Sequence, residues 1–303
     1  MKKNRYIVPL VFIVGLISAS VWYFRRYPVA VLQPSGPVGL KERNLILAGL
    51  LLAVLVVVPV YAMTIFIAMK YRESNVKARY SPDWEHSRAL ELTWWAIPGF
   101  FILIFSIIAW NSAHALDPFK PLSSSKPPLK IQVVSLDWKW LFIYPKQGIA
   151  SVNLVEIPTN VPIEFHVTSD SVMNSFWVPA LGGQIYSMPG MDTQLHVSAS
   201  KSGDFGGSSA NISGRGFAGM DFTVRAISPS KFQNWVKKVQ VSSQRLDQTG
   251  YNRLSTPSTN NPKEVYSSVK PDLYNDILLK YAAPSIREEV RLGTHGGQVG
   301  GWE

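Results

Sequence analysis

The sequence predicts a membrane α plus all-β protein: an N-terminal transmembrane helical hairpin, a β-sandwich or small barrel, and a helical C-terminal extension. Three observations carry this. Two long apolar runs, Leu45–Met69 and Leu92–Trp110, contain no charged residue. A linker marked by Pro118, Pro121, Pro127 and Pro128 follows them. Beyond it come short β-rich runs separated by turn formers.

Ile7–Phe24 is apolar and follows Lys2, Lys3 and Arg5, the pattern of a signal sequence or signal anchor. Arg25-Arg26 directly after it is unusual for a cleaved signal, and both readings stay open. Leu45–Met69 has about 25 residues and Leu92–Trp110 about 19, each enough to cross a bilayer. Core helices of soluble proteins rarely run this long without a charge. Pro59 and Pro98 each remove a helix hydrogen bond inside a span, so a bend is expected at both. By parity, residues 70–91 are cytoplasmic, and they carry Lys70, Arg72, Lys77, Arg79 and Arg88. Arg25, Arg26, Lys41 and Arg43 lie on the other side, so orientation rests on parity more than on the positive-inside rule.

Composition removes several function classes. The chain has no cysteine, which excludes disulfides, thiolate metal sites, cysteine nucleophiles and cysteine lipidation. Its net charge is +10, but residues 1–110 hold 12 Lys/Arg against 5 Asp/Glu, whereas residues 111–303 hold 18 against 15. The excess flanks the apolar runs, and no basic-aromatic recognition motif accompanies it, so nucleic acid is not an expected partner.

In the β region, Ile131–Leu136, Trp140–Tyr144, Ile163–Thr168, Leu195–Ala199 and Phe222–Ala226 read as strands. Pro-Lys-Gln-Gly at 145–148 and Gly-Asp-Phe-Gly-Gly at 203–207 read as turns. Such spacing suggests a sandwich or barrel of roughly 100 residues. Phe232, Trp235, Val236 and Val239 then recur at three and four, giving one amphipathic helical face. A second helical run near Pro271–Tyr281 follows a polar stretch at 242–262. The chain shows no internal repeat.

Particular residues make the reading more specific. Leu32-Gln-Pro-Ser-Gly-Pro-Val-Gly-Leu precedes the first long run, and Lys70-Tyr-Arg and Tyr80-Ser-Pro-Asp-Trp follow it. Further on stand Asp137-Trp-Lys-Trp, Phe142-Ile-Tyr-Pro, Val172-Met-Asn-Ser-Phe, Val178-Pro, Gly214-Arg-Gly-Phe and Gly219-Met. From about residue 30 to 285 the chain resembles subunit II of bacterial haem-copper oxidases, closest to the ubiquinol oxidase branch of bo or ba type. The resemblance implies a cupredoxin-like outer domain.

In the cytochrome c branch of that family the domain binds two coppers through a histidine and a Cys-x-Glu-x-Cys-x3-His-x2-Met loop. Counting back from Met220 places Ser209 and Ser213 at the cysteines, Asn211 at the glutamate and Phe217 at the later histidine. Asn174 falls at the early histidine. Only Met220 keeps the family's residue. Hydroxyls and amides cannot replace bridging thiolates, so no metal is expected in this chain, and Met220 reads as a core side chain.

The histidines His86, His114, His166, His196 and His295 form no metal-ligand spacing, and surface or hydrogen-bonded strand positions are expected for them. No catalytic triad emerges, since no base accompanies a serine. Trp138 and Trp140 flank Lys139 and read as contacts to the membrane domain or a partner subunit. Glu91, at the inner start of the second span, favours the helix dipole. In the resembling family a glutamate at the matching place, within His86-Ser-Arg-Ala-Leu-Glu91, marks the mouth of a proton channel into subunit I.

The resemblance therefore implies a structural and assembly-related subunit of a proton-pumping ubiquinol oxidase of the aerobic respiratory chain. Haems and copper are expected in subunit I, ubiquinol as the substrate of the complex, and subunits I, III and IV with the lipid bilayer as partners. Cytochrome c is not expected, because the near-neutral outer domain lacks an acidic dock for a basic protein. The alternative is a free-standing, membrane-tethered cupredoxin-like binding or assembly protein. The expected location is the bacterial inner membrane, multi-pass, with the C-terminal domain in the periplasm. The expected division is 1–30 signal or anchor, 31–44 outer segment, 45–69 span, 70–91 cytoplasmic loop and 92–111 span. It continues with 112–129 linker, 130–228 copper-free cupredoxin-like domain and 229–303 helical extension and tail.

Overall fold

The computed structural model describes residues 14–15, 18–27, 29–79, 81 and 84–282 of the 303-residue chain. Most of the signal segment, and the tail with His295, lie outside the described residues. The chain divides into two units, residues 41–117 and the remainder.

Helix α1 spans Pro37–Lys70 and continues through Pro59; helix α2 spans Arg88–Ala115 and continues through Pro98. The helix carrying the apolar run at 45–69 therefore starts earlier, at Pro37, and residues 37–44 are helical. At α2, Ser87 is the N-cap, its hydroxyl accepting from Leu90 N–H at 3.5 Å, and Glu91 lies in the first turn. Among the described residues of both helices only Gly39 is buried within the chain. Leu51, Val58, Trp95 and Ile102 are typical of side chains left bare on both helices. Helices apolar all round require lipid or other protein as solvent. By length and composition, both can cross a membrane.

The remaining unit is a two-sheet sandwich. Its strands are β1 (Leu129–Leu136), β2 (Lys139–Tyr144), β3 (Ile149–Val152), β4 (Leu154–Pro158), β5 (Ile163–Ser169) and β6 (Asn174–Trp177). They continue with β7 (Gln184–Ser187), β8 (Thr193–Val197), β9 (Gly203–Ser209), β10 (Asp221–Ile227) and β11 (Glu264–Tyr266). Three helices accompany them, α3 (Pro229–Gln240), α4 (Gln248–Leu254) and α5 (Leu273–Tyr281). One sheet runs β11-β3-β2-β1-β5-β8 and the other β4-β10-β9-β6-β7. In the first, β1 pairs antiparallel with β2 (Val133↔Phe142) and parallel with β5 (Val133↔Val167).

The side-chain period of two sorts these strands between two cores. Ile131, Val133, Trp140, Phe142 and Tyr144 face the second sheet, where Phe176 and Phe222 stack at 5.0 Å. The alternate residues Val134, Leu136, Leu141, Ile143, Ala150 and Val152 face outward. That outer face is covered by Leu246, Tyr251, Leu273, Tyr274, Ile277 and Leu278 of the C-terminal extension. Strand β2 is buried along its whole length, and its residues from Trp140 on are apolar without alternation, because both of its faces are dry.

One expectation needs correction, and two others gain detail. Gly203–Gly207 is not a turn but most of strand β9, with Gly207 opposite Phe222. A Cβ at Gly207 would lie 2.2 Å from the Phe222 ring, so the glycine admits the aromatic ring rather than breaking the strand. The C-terminal extension is not purely helical, since β11 pairs antiparallel with β3. Ser35–Gly39, placed in an outer segment by sequence, is docked on the sandwich. Ser35 N–H donates to Ala180 O at 2.7 Å, Ser200 N–H to Ser35 O at 2.7 Å, and Gly39 N–H to Leu181 O at 3.0 Å.

Candidate functional site

Three connections converge at one end of the sandwich, beside the start of β6 and the end of β9: the hairpin turn Asp137-Trp138, the segment Ser169–Met173, and the loop Ala210–Gly219. Trp138 adopts φ 88°, rare for a bulky residue, because the two-residue turn between β1 and β2 requires a positive φ there. That conformation seats its indole on Gly216, where a Cβ would lie 2.4 Å from the ring. The indole N–H donates to Ser213 O at 3.1 Å.

Asn174 and Ser209 are buried and hydrogen-bonded to each other, the Ser209 hydroxyl donating to Asn174 Oδ1 at 3.0 Å. Ser175 N–H and Asn211 N–H both donate to Ser209 Oγ, at 3.3 and 3.4 Å. Asn211 Nδ2 donates to Met173 O at 3.0 Å. Ser213 Oγ is buried without a hydrogen-bond partner. Phe217 opens a short 3-10 turn and is half-buried, and Met220 is buried in the sandwich core. A copper pair needs thiolate and imidazole donors. Here two hydroxyls, two amides and a phenyl ring occupy those positions, Asn174 and Ser209 satisfy each other, and the Met220 side chain packs with apolar neighbours. The residues do not fit copper.

Trp140 corrects a sequence expectation. It has 0% exposure, its ring lies 5.4 Å from Phe176 and 5.6 Å from Phe222, and its indole N–H donates to Met220 O at 3.4 Å. A side chain with no exposed surface cannot contact a partner subunit. Trp138 is half-buried and its visible contacts are with the 213–216 loop.

Glu91 lies in the other unit, and its carboxylate is 3.6 Å from His86 Nδ1 and partly exposed. No three His, Cys, Asp or Glu side chains among the described residues are grouped to hold a metal ion.

Sequence reasoning expected a hydrogen-bonded strand histidine at His166 but missed its partners, and it missed two further buried polar anchors, Asp170 and Lys139. His166 sits between two carboxylates, Nδ1 2.9 Å from Asp192 and Nε2 2.8 Å from Glu164. Both ring nitrogens can donate only if the ring is an imidazolium. Burial opposes that charge, but the hydrogen bonds to Asp192 and Glu164 outweigh it and raise the ring's pKa. Glu164 is opposed by burial too, but His166 and Lys130 hold it below the usual carboxylate range. Asp170 accepts from Tyr251 OH at 2.5 Å, Lys280 at 2.6 Å and Tyr281 OH at 2.9 Å. Lys139 donates to Leu254 O at 2.7 Å, Thr256 O at 2.9 Å and Ser258 Oγ at 2.6 Å, and burial lowers its pKa. The Glu164-x-His166 spacing, same-face on a strand, was the one local signal. His196, as expected of a strand histidine, is hydrogen-bonded, its Nδ1 lying 3.0 Å from Pro118 O.

Two helices long and apolar enough to cross a membrane, followed by a two-sheet sandwich whose 209–217 loop carries hydroxyls and amides, are the architecture of a cupredoxin-type oxidase subunit II. The family matches and the sequence relatives agree. Residues 131–227 match the family described as cytochrome c oxidase subunit II, periplasmic domain, and residues 240–291 match the COX aromatic-rich motif. Cytochrome bo(3) ubiquinol oxidase subunit 2 of Pseudomonas putida is 47% identical over 286 residues, covering 93% of this chain and 88% of the relative. Ubiquinol oxidase subunit 2 of Acetobacter aceti is 46% identical over 281 residues, covering 92% and 91%. Among solved structures, the periplasmic domain of cytochrome oxidase subunit II of Bradyrhizobium japonicum is 26% identical, with 39% of this chain and 96% of that one covered and a TM-score of 0.36. The chain belongs to the ubiquinol oxidase subunit 2 family and is a terminal oxidase subunit.

Proposed function

We propose that this chain is the copper-free subunit II of a proton-pumping ubiquinol oxidase in a bacterial inner membrane. The observation that carries the reading is the mutual hydrogen bond of Asn174 and Ser209, which fills the place where a copper pair would need imidazole and thiolate. Electrons need not cross this chain, because a lipid-soluble quinol reaches subunit I from within the bilayer. Subunit I holds the haems and copper, and subunits III and IV complete the complex. The sandwich lies in the periplasm, with residues 70–91 in the cytoplasm. Its balance of 18 basic and 15 acidic residues over 111–303 suits a subunit that does not dock cytochrome c.

Glu91 is the mouth of a proton channel into subunit I. Its position in the first turn of α2, partly exposed and beside His86, supports a group in exchange with water. Glu91→Ala should slow oxygen reduction by the purified complex with its haem content unchanged, and Glu91→Asp should restore part of the rate. Normal turnover and pumping in the alanine variant would leave Glu91 only its helix-dipole role. The wider reading is tested on the same preparation. Haem-bearing partners should co-purify with this chain, and stoichiometric copper on the separated chain, or its isolation without haem partners, would overturn it.

A further inference from the structure

At the end of α1 an open recess of about 1040 Å³ is lined by Phe66, Ile67, Lys70, Tyr71, Arg79, Ser81 and Trp84. Its chemistry is graded. Phe66 and Ile67 give it an apolar side, Tyr71 and Trp84 are amphipathic rings of the kind enriched at membrane interfaces, and Lys70 and Arg79 supply positive charge. No carboxylate lines it. Lys70 Nζ stands over the rings of Phe66 and Tyr71, at 5.4 and 5.3 Å, which holds the ammonium at the recess. Neither Lys70 nor Arg79 has a carboxylate partner among the described residues. Lys70 also complements the C-terminal dipole of α1, but Arg79 lies outside the helix and has no such role.

We propose that this recess binds the headgroup of an anionic phospholipid, with Lys70 and Arg79 on the phosphate, Tyr71 and Trp84 at the headgroup level, and Phe66 and Ile67 against the first acyl carbons. The proposal rests on α1 as a spanning helix, which puts its end at headgroup depth, and it is independent of the role of Glu91. Charge complementarity and the apolar-to-basic gradient select a lipid phosphate over a free one, since inorganic phosphate gains nothing from the apolar wall.

The test is native mass spectrometry of the full chain in detergent, titrated with dioleoyl phosphatidylglycerol, with dioleoyl phosphatidylcholine and inorganic phosphate as comparisons. Binding of one phosphatidylglycerol should weaken about fivefold in Lys70→Gln or Arg79→Gln and roughly thirtyfold in the double variant. Lys77→Gln, a basic side chain of the same loop outside the recess, should bind as the parent does. An equal loss in Lys77→Gln would mean diffuse attraction without a site, and displacement by inorganic phosphate would mean a simple anion site. Either result overturns the proposal. The intact oxidase should in turn retain one phosphatidylglycerol fewer in the double variant. An unchanged lipid count there would assign the recess to a neighbouring subunit and overturn it too.

Discussion

Replacing His166 with alanine should loosen the C-terminal extension from the sandwich, and the structure sets the size of the effect. The imidazolium lies between Glu164 and Asp192, and the side chains of all three are at most 12% exposed. Removing one member of a buried ion pair costs roughly 3–5 kcal/mol, because the charge left behind is desolvated. Here Glu164 keeps Lys130 at 3.1 Å and Asp192 keeps the Tyr274 hydroxyl at 2.8 Å. The low end applies, about 3 kcal/mol. For a unit of this size that corresponds to a fall in Tm of about 6–12 °C. The assay is thermal unfolding of the full chain in detergent, followed by tryptophan fluorescence, to which the buried Trp140 contributes. The pH dependence has a definite sign. His166 has a raised pKa, so its contribution is complete below the ordinary value of about 6.5 and is lost as pH rises through the folded value. Glu164 has a lowered pKa, so its contribution is present above the usual carboxylate range and is lost as pH falls through its folded value. The parent should lose stability on the alkaline side, and His166→Ala should not show that loss. Equal melting temperatures with superimposable pH profiles would refute the ion-pair account.

Three further predictions address other anchors. Lys139→Met removes three donors and orphans the Leu254 and Thr256 carbonyls, at about 1–3 kcal/mol each, so limited proteolysis should cut near α4 sooner than in the parent; unchanged cleavage would show that the lysine is dispensable. Gly207→Val must displace the Phe222 ring and should cost at least about 1–3 kcal/mol by overpacking, read as a lower Tm, whereas Ser230→Ala on the exposed start of α3 should change it little. Joint replacement Asn174→His, Ser209→Cys, Ser213→Cys and Phe217→His beside Met220 should give a coloured chain holding two coppers that share one unpaired electron. A folded, colourless chain without copper would mean that these positions are not the displaced ligand set.

The C-terminal extension shows why the anchors matter. Its tyrosines reach back across the outer face of the larger sheet, Tyr251 and Tyr281 to Asp170 and Tyr274 to Asp192. Burial first, and then the facing carboxylate, raises the pKa of each of these hydroxyls, so they remain donors. These donors complete the hydrogen bonding of carboxylates already paired with a cation, Asp170 with Lys280 and Asp192 with His166. Apolar packing supplies most of the contact, and the carboxylates fix which face of α5 meets the sheet.

Sequence alone determined the parts governed by local periodicity and by residue chemistry. Uncharged runs of membrane length marked α1 and α2, short β-rich runs between turn formers marked β1, β2, β5, β8 and β10, and a three-and-four repeat marked α3. The residue types at 174, 209, 211, 213 and 217 were legible too, because donor chemistry belongs to the side chain and not to the fold. Tertiary structure decided what depends on a distant neighbour. Gly203–Gly207 reads as a turn until Phe222 is placed against Gly207. Trp140 reads as an interface residue until Phe176 and Phe222 close over it. Lys139 and Asp170 have no local signature at all, since each is satisfied by partners dozens of residues away, and the His166 ion pair shows only its Glu164 half locally. The physical reason is that propensity acts within a few residues, whereas burial and polar satisfaction depend on which segments the whole chain brings together.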